Sequence, residues 1–189
     1  GRVPSAAHQI ALQLSSMSFA VAMGLGNTAA VRVGHAVGAG DHHAARRTGV
    51  VSLVLGAAVM STSAAVFVIA PGLLARIFGG PAPVRGAAVT LVRIAAVFQL
   101  SDGAQAIASG ALRGAGDTRA AFFANLGGHY LVGVPVAIGL GFGLHLGAPG
   151  LWWGLSAGLT GTAAALVGRF LWLTARPIAR VERRPAAPH

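Results

Sequence analysis

The sequence predicts an all-α integral membrane protein with five transmembrane helices, and three observations carry that expectation. The first is composition: 54% of the 189 residues are hydrophobic and only 10% are charged, whereas a water-soluble domain carries about 25% charged residues. The second is where the charges lie. None occurs between Arg2 and Arg32, between Arg47 and Arg76, or between Arg119 and Arg169. A helix needs roughly 20 apolar residues to cross the hydrocarbon core. The first two gaps each fit one crossing, and the third fits two around a break at Gly147-Ala148-Pro149-Gly150. A fifth apolar stretch, residues 87–112, holds only Arg93 and Asp102 as charges. The third observation is that no run alternates polar and apolar residues, as barrel strands would; helices then satisfy the backbone in lipid.

The expected spans are residues 6–33, 48–77, 87–112, 120–144 and 151–174, forming a membrane bundle over 1–176 with a cytoplasmic tail at 177–189. Span one carries a polar stripe, since Gln9, Gln13, Ser16, Ala20, Gly24 and Asn27 follow helical spacing. Span three has a second stripe in Gln99, Asp102, Gln105 and Ser109. Span four places Asn125 and His129 one turn apart, and Pro135 removes a backbone donor deep inside it, so a kink is expected there. Glycines four apart (Gly110 and Gly114, Gly139 and Gly143, then Gly150, Gly154 and Gly158) predict helix faces that approach closely in lipid. Two connections share one pattern, Gly38-Ala39-Gly40-Asp41 and Gly114-Ala115-Gly116-Asp117. In each, glycine suits a left-handed helix end and Asp caps the next helix. Their recurrence 76 residues apart suggests a duplicated helix hairpin.

Arginine placement sets an orientation. Arg32, Arg46, Arg47, Arg113, Arg119, Arg176, Arg180, Arg183 and Arg184 fall on one side, against Arg2, Arg76 and Arg85 on the other. The C-terminus is therefore expected in the cytoplasm, with the protein a multi-pass component of the inner (plasma) membrane. Gly1 would then lie outside; with no initiator Met and no signal-peptide n-region, this predicts a piece of a longer polypeptide. The net charge of +10 would suggest nucleic acid in a soluble protein. Here the arginines sit at span ends without interleaved aromatics, which points to membrane lipids as partners and not to nucleic acid. The absence of Cys excludes disulfides and cysteine nucleophiles.

Asp102 stands out, because an aspartate at bilayer depth costs ~3 kcal/mol and usually marks an ion, proton or substrate pathway. A structural carboxyl bonded to a neighbouring helix is the alternative. Arg93 is nine residues away, about 900° of helical rotation and about 13 Å along the axis, so it lies on the opposite face and snorkels outward. The stripes of spans one and three either pair or line a wet cavity; Asp102's need for solvation or a cation favours the cavity. His129 with Asn125 reads as a hydrogen-bonded pair or a proton relay. The His35, Asp41, His42 and His43 cluster matches no metal-ligand spacing and reads as an interfacial loop. No catalytic set, phosphate-cradling loop or metal site is present, so no enzyme and no bound cofactor are expected.

Several blocks together resemble the multidrug and toxic compound extrusion (MATE) family. They are Ala7-His8-Gln9-Ile10-Ala11-Leu12, then Gly24-Leu25-Gly26-Asn27-Thr28-Ala29-Ala30-Val31-Arg32-Val33-Gly34 closing in Gly38–Asp41, and Ser101-Asp102-Gly103-Ala104-Gln105 followed by Gly110-Ala111-Leu112-Arg113-Gly114-Ala115-Gly116-Asp117-Thr118. The resemblance implies twelve helices in two six-helix lobes, with these spans forming the second lobe without its first helix. It implies a missing N-terminal lobe of the same polypeptide as partner. The implied activity is expulsion of small cationic or amphipathic organic compounds in exchange for protons or sodium. Asp102 then matches the embedded aspartate of that lobe, a cation-coupling site in the NorM-like bacterial branch. Phe98 stands where members of that branch can have a cavity-lining tyrosine, and Gln13 where some have asparagine. Two other readings predict different behaviour. A lipid-linked sugar flippase of the wider superfamily would need a strongly basic cavity, and a non-transporting scaffold would tolerate loss of Asp102.

Overall fold

A computed structural model describes residues 2–175. The tail arginines Arg176, Arg180, Arg183 and Arg184 lie outside the described residues, as does Gly1. Among the described residues every regular element is helical. Helix α1 spans Arg2–Ala39 and α2 spans His42–Ile69. The apolar run read as one span over 48–77 is divided, because a short helix α3 (Pro71–Ile77) follows α2. Pro71 cannot donate to a continuing helix and its ring would strike the carbonyl four residues back, yet it suits a first turn. Ala70 between them takes a non-helical φ of −125° and ψ of 37°. Hydropathy runs through this break unaltered, which is why the two helices read as one.

Helix α4 covers Ala82–Gly114. Residues 118–143 are helical but not uniformly so: α5 (Thr118–Leu126) passes into π-helical turns at Gly127–Gly133, then α6 (Val134–Ile138), then π-helical turns at Gly139–Gly143. The Val134 N–H bonds the His129 carbonyl, five residues back. Where a kink is expected at Pro135, the helix carries a widened turn immediately before the residue that can donate no bond. Helix α7 spans Ala148–Thr174.

Among the described residues four stretches are long and apolar enough to cross a membrane: Arg2–Ala39, His42–Ile69, Ala82–Gly114 and Thr118–Gly143. The fifth expected span forms α7, whose 27 residues supply the length. It is not among the four. Length and composition therefore identify four spans among the described residues.

Helix α4 is the centre of the bundle, packed against α1, α2, α3, α5 and α7. One apolar cluster joins Ala7, Leu14, Leu91, Phe98 and Trp152, and another joins Val33, Ala45, Ile107, Leu112, Leu166 and Phe170. Beside the second cluster the α1 and α4 backbones nearly touch. A Cβ added at Gly110 would collide with the Gly26 carbonyl, and one at Gly114 with the Ala30 carbonyl. On α7, Gly154 and Gly158 sit equally close to Ala137 and to Gly128 and Gly133. Gly139 and Gly143 differ, because both face open space and mediate no approach.

Candidate functional site

Asp102 lies on α4, twelve residues and so about 18 Å from the helix's C-terminal end. The helix is pinned on both sides of it. Ser101 shares a 2.9 Å hydrogen bond with Thr160 of α7, and Gly103 leaves room for the Met60 side chain of α2. The carboxylate is half-buried, and among the described residues it accepts no hydrogen bond and forms no ion pair. Arg93 is exposed on another face of the same helix. The group that does face Asp102 electrostatically is His129, carried in the first π-helical stretch. Such widened turns recur at functional sites.

One turn after Asp102, the Gln105 amide donates through Nε2 to Asn125 Oδ1. Its other polar atom, Oε1, is buried and has no donor among the described residues. Asn125 in turn donates from Nδ2 to the Ala121 carbonyl at 2.7 Å, and its own carbonyl lies 3.0 Å from His129 Nδ1. Gln105, Asn125 and His129 are therefore one hydrogen-bonded group, drawn from α4 and the helix beside it, with Asp102 one turn before Gln105 on α4 and His129 acting on it through charge. The group joins two clefts. A cleft of about 230 Å³ is lined by Gln105, Asn125, Ser109 and Asn27, with Arg113 donating to Asn27 Oδ1 at 3.5 Å. A larger one, about 630 Å³, is lined by His129 together with Gln9, His8, Trp152 and Leu155.

Other residues singled out from the sequence are placed elsewhere. Gln99 is fully buried and donates to Ser63 Oγ of α2 at 2.9 Å, with Ser63 bonded on to Ser18 at 2.6 Å. It braces α4 against α1 and α2, away from both clefts. Phe98 is buried against the Trp152 ring, with centroids 5.5 Å apart. Gln13 and Ser16 are exposed on α1, and the Ser16 hydroxyl closes onto the Leu12 carbonyl of its own helix at 2.8 Å. Asp41 caps α2 by accepting from the Ala44 N–H at 2.8 Å. Sequence reasoning missed the pair His8 and Trp152, joined by a 3.1 Å bond from the indole Nε1 to His8 Nδ1. They are 144 residues apart, and no local pattern connects them.

Residues 1–138 match the MatE family. The multidrug resistance protein NorM of Burkholderia vietnamiensis is 44% identical over 184 residues, 95% of this chain and 40% of the relative. A probable NorM of Pseudomonas aeruginosa is 43% identical over 176 residues, 90% of this chain and 36% of that protein. The chain thus spans about 40% of the length of the curated relatives it matches. Among solved structures, the eukaryotic MATE transporter AtDTX14 superposes with a TM-score of 0.84 at 24% identity, covering 92% of this chain and 40% of that one. An inward-facing multidrug resistance MATE family transporter gives 0.81 at 22% identity, covering 92% and 38%. With a family match over most of its length and helices that repeat the fold of solved members, the chain belongs to the MatE family of membrane transporters, which are not enzymes.

Proposed function

We propose that this chain is part of a secondary active antiporter that expels small cationic or amphipathic organic compounds, with Asp102 as its coupling carboxylate. The observation that carries this reading is an excess of acceptors within the bundle. The Asp102 carboxylate and, one turn on, the buried Gln105 Oε1 both lack donors among the described residues. A proton or a cation supplies what they lack, and a membrane-embedded carboxylate persists chiefly where one or the other passes. Proton and cationic substrate then compete for one site, which is the requirement for exchange. Either can shift the inward–outward equilibrium only by binding the two forms with different affinity, so Asp102 is differently solvated in each. His129 and Asn125 form the relay side of the group, and Gln9, Asn27, Gln105 and Ser109 line its clefts. Proton and sodium are both compatible with this chemistry as the coupling ion.

The larger architecture belongs to the same proposal. Here α7 serves as a fifth crossing, buried along one face and therefore less dependent on apolar composition. The five crossings are the second lobe of a twelve-helix transporter in the inner membrane, with the C-terminus in the cytoplasm. The relatives' multidrug resistance names and the partial coverage of their length support this reading. Asp102→Asn keeps size and hydrogen bonding while removing the charge. In the intact protein it is expected to abolish gradient-driven dye efflux from energised vesicles without reducing membrane insertion. Arg93→Gln, on another face of α4, is expected to pump nearly normally. An Asp102→Asn protein that pumps at the parental rate would return the carboxyl to a structural role.

A further inference from the structure

At the end of the bundle that carries the first Gly-Ala-Gly-Asp turn, α1 and α2 diverge around a cleft of about 720 Å³. Its polarity is graded along the helices. Nearest the turn stand Arg32 of α1 and Arg47 of α2, both exposed, with His43 beside them. Neither guanidinium has a carboxylate within ion-pair distance among the described residues. The cleft's own carboxylate, Asp41, is engaged in capping α2. Thr48 stands level with Arg47, and about one turn deeper come Thr28 and Ser52. The Thr28 and Ser52 hydroxyls donate to their own helices, to the Gly24 carbonyl at 3.0 Å and the Thr48 carbonyl at 2.9 Å, so this level is only weakly polar. Deeper still the walls are Leu25 and Leu55, the latter 50% exposed. From Arg47 to Leu55 is eight residues, about 12 Å along the axis.

We infer that this cleft is a binding site for an anionic phospholipid. Phosphate diester meets the two guanidinium groups, which present fixed forks of donors suited to phosphate oxygens. The glycerol ester region lies against the hydroxyl level, and an acyl chain runs along the exposed leucine and valine surface below. Charge complementarity selects the occupant. A zwitterionic headgroup would bring its own cation against two arginines, and a free phosphate ion would leave the apolar walls uncovered. Basic pockets between transmembrane helices take anionic headgroups by this chemistry. The site does not depend on the transport reading, because neither arginine belongs to the Asp102 group.

Native mass spectrometry of the intact protein in detergent tests it, offering phosphatidylglycerol, phosphatidylcholine and inorganic phosphate in turn. Phosphatidylglycerol is expected to be retained well above phosphatidylcholine. The double variant Arg32→Gln/Arg47→Gln is expected to lower that retention about 30-fold, since each basic residue contributes about fivefold near a charged surface. Arg85→Gln/Arg93→Gln, away from the cleft, should leave it unchanged. Equal retention of the two lipids by the unaltered protein overturns the site, and that comparison stands even where the double variant fails to fold. Binding of inorganic phosphate as tight as that of phosphatidylglycerol overturns the lipid assignment. Loss of retention in the Arg85 and Arg93 control overturns the location.

Discussion

The two Gly-Ala-Gly-Asp turns have the same backbone and different surroundings. In both, the second glycine takes a left-handed φ, 77° at Gly40 and 84° at Gly116. The Asp N–H reaches back five residues, Asp41 to the Ala36 carbonyl and Asp117 to the Leu112 carbonyl, each at 2.9 Å. Each Asp then caps the next helix, at 2.8 Å to Ala44 N and 3.2 Å to Ala120 N. There the likeness stops. Asp117 also pairs with Arg169 of α7 at 2.7 Å, and that guanidinium lies 4.7 Å from the centre of the Trp172 ring. Asp41 makes no such pairing among the described residues, and its neighbours Arg32 and Arg47 stay open. A repeated local motif therefore dictates the turn, while a residue 52 positions downstream decides whether the turn is locked.

Five substitutions test that difference, read as thermal unfolding of the intact protein in detergent. Asp117→Ala removes the cap and the pairing together and is expected to cost most, about 2 kcal/mol. A loss no larger than that of Asp41→Ala would mean the α7 contact adds nothing. Gly40→Ala and Gly116→Ala each force a Cβ into a left-handed conformation, at about 1–2 kcal/mol. Equal costs would sharpen the likeness, and a much larger one at Gly116 would show that the lock strains the turn. Asp41→Ala removes a cap alone, about 1 kcal/mol. Arg169→Gln should cost least, about 0.5 kcal/mol, because the pair is part-exposed. Its effect should fade in high salt; a salt-independent loss would assign the contribution to packing on Trp172 instead.

These turns were legible in the sequence because their chemistry is local: glycine for the left-handed residue, Asp three before the N–H it caps. The apolar runs were legible for a similar reason, since burial in lipid acts on every residue of a span. The end of α2 was not, because hydropathy is blind to the ring of Pro71. Nor was the widening at Gly127–Gly133, which is a matter of bonding register rather than of residue type. The site was legible in part. Asp102, Gln105 and Asn125 follow from polarity at depth. Gln99 misled because it is about 120° from Gln105 on the helical wheel, within one broad stripe but wide enough to face a different neighbour. Ser63 and Ser18, which claim it, sit on two other helices. The contacts of Phe98 with Trp152, and of Trp152 with His8, required the folded bundle.

The near-contact of α1 and α4 bears on how this sequence can drift. A single-base change in a glycine codon that alters the residue always adds at least a Cβ. At Gly110 that atom would land on the Gly26 carbonyl, and at Gly114 on the carbonyl of Ala30. The obstacle in each case is main chain, which cannot turn aside as a side chain can. At Gly24 and Gly38, on the same α1 helix, a Cβ would meet nothing within 4 Å. Neutral variation among these glycines should therefore gather at the second pair, while the positions facing the α1 backbone are held to synonymous change.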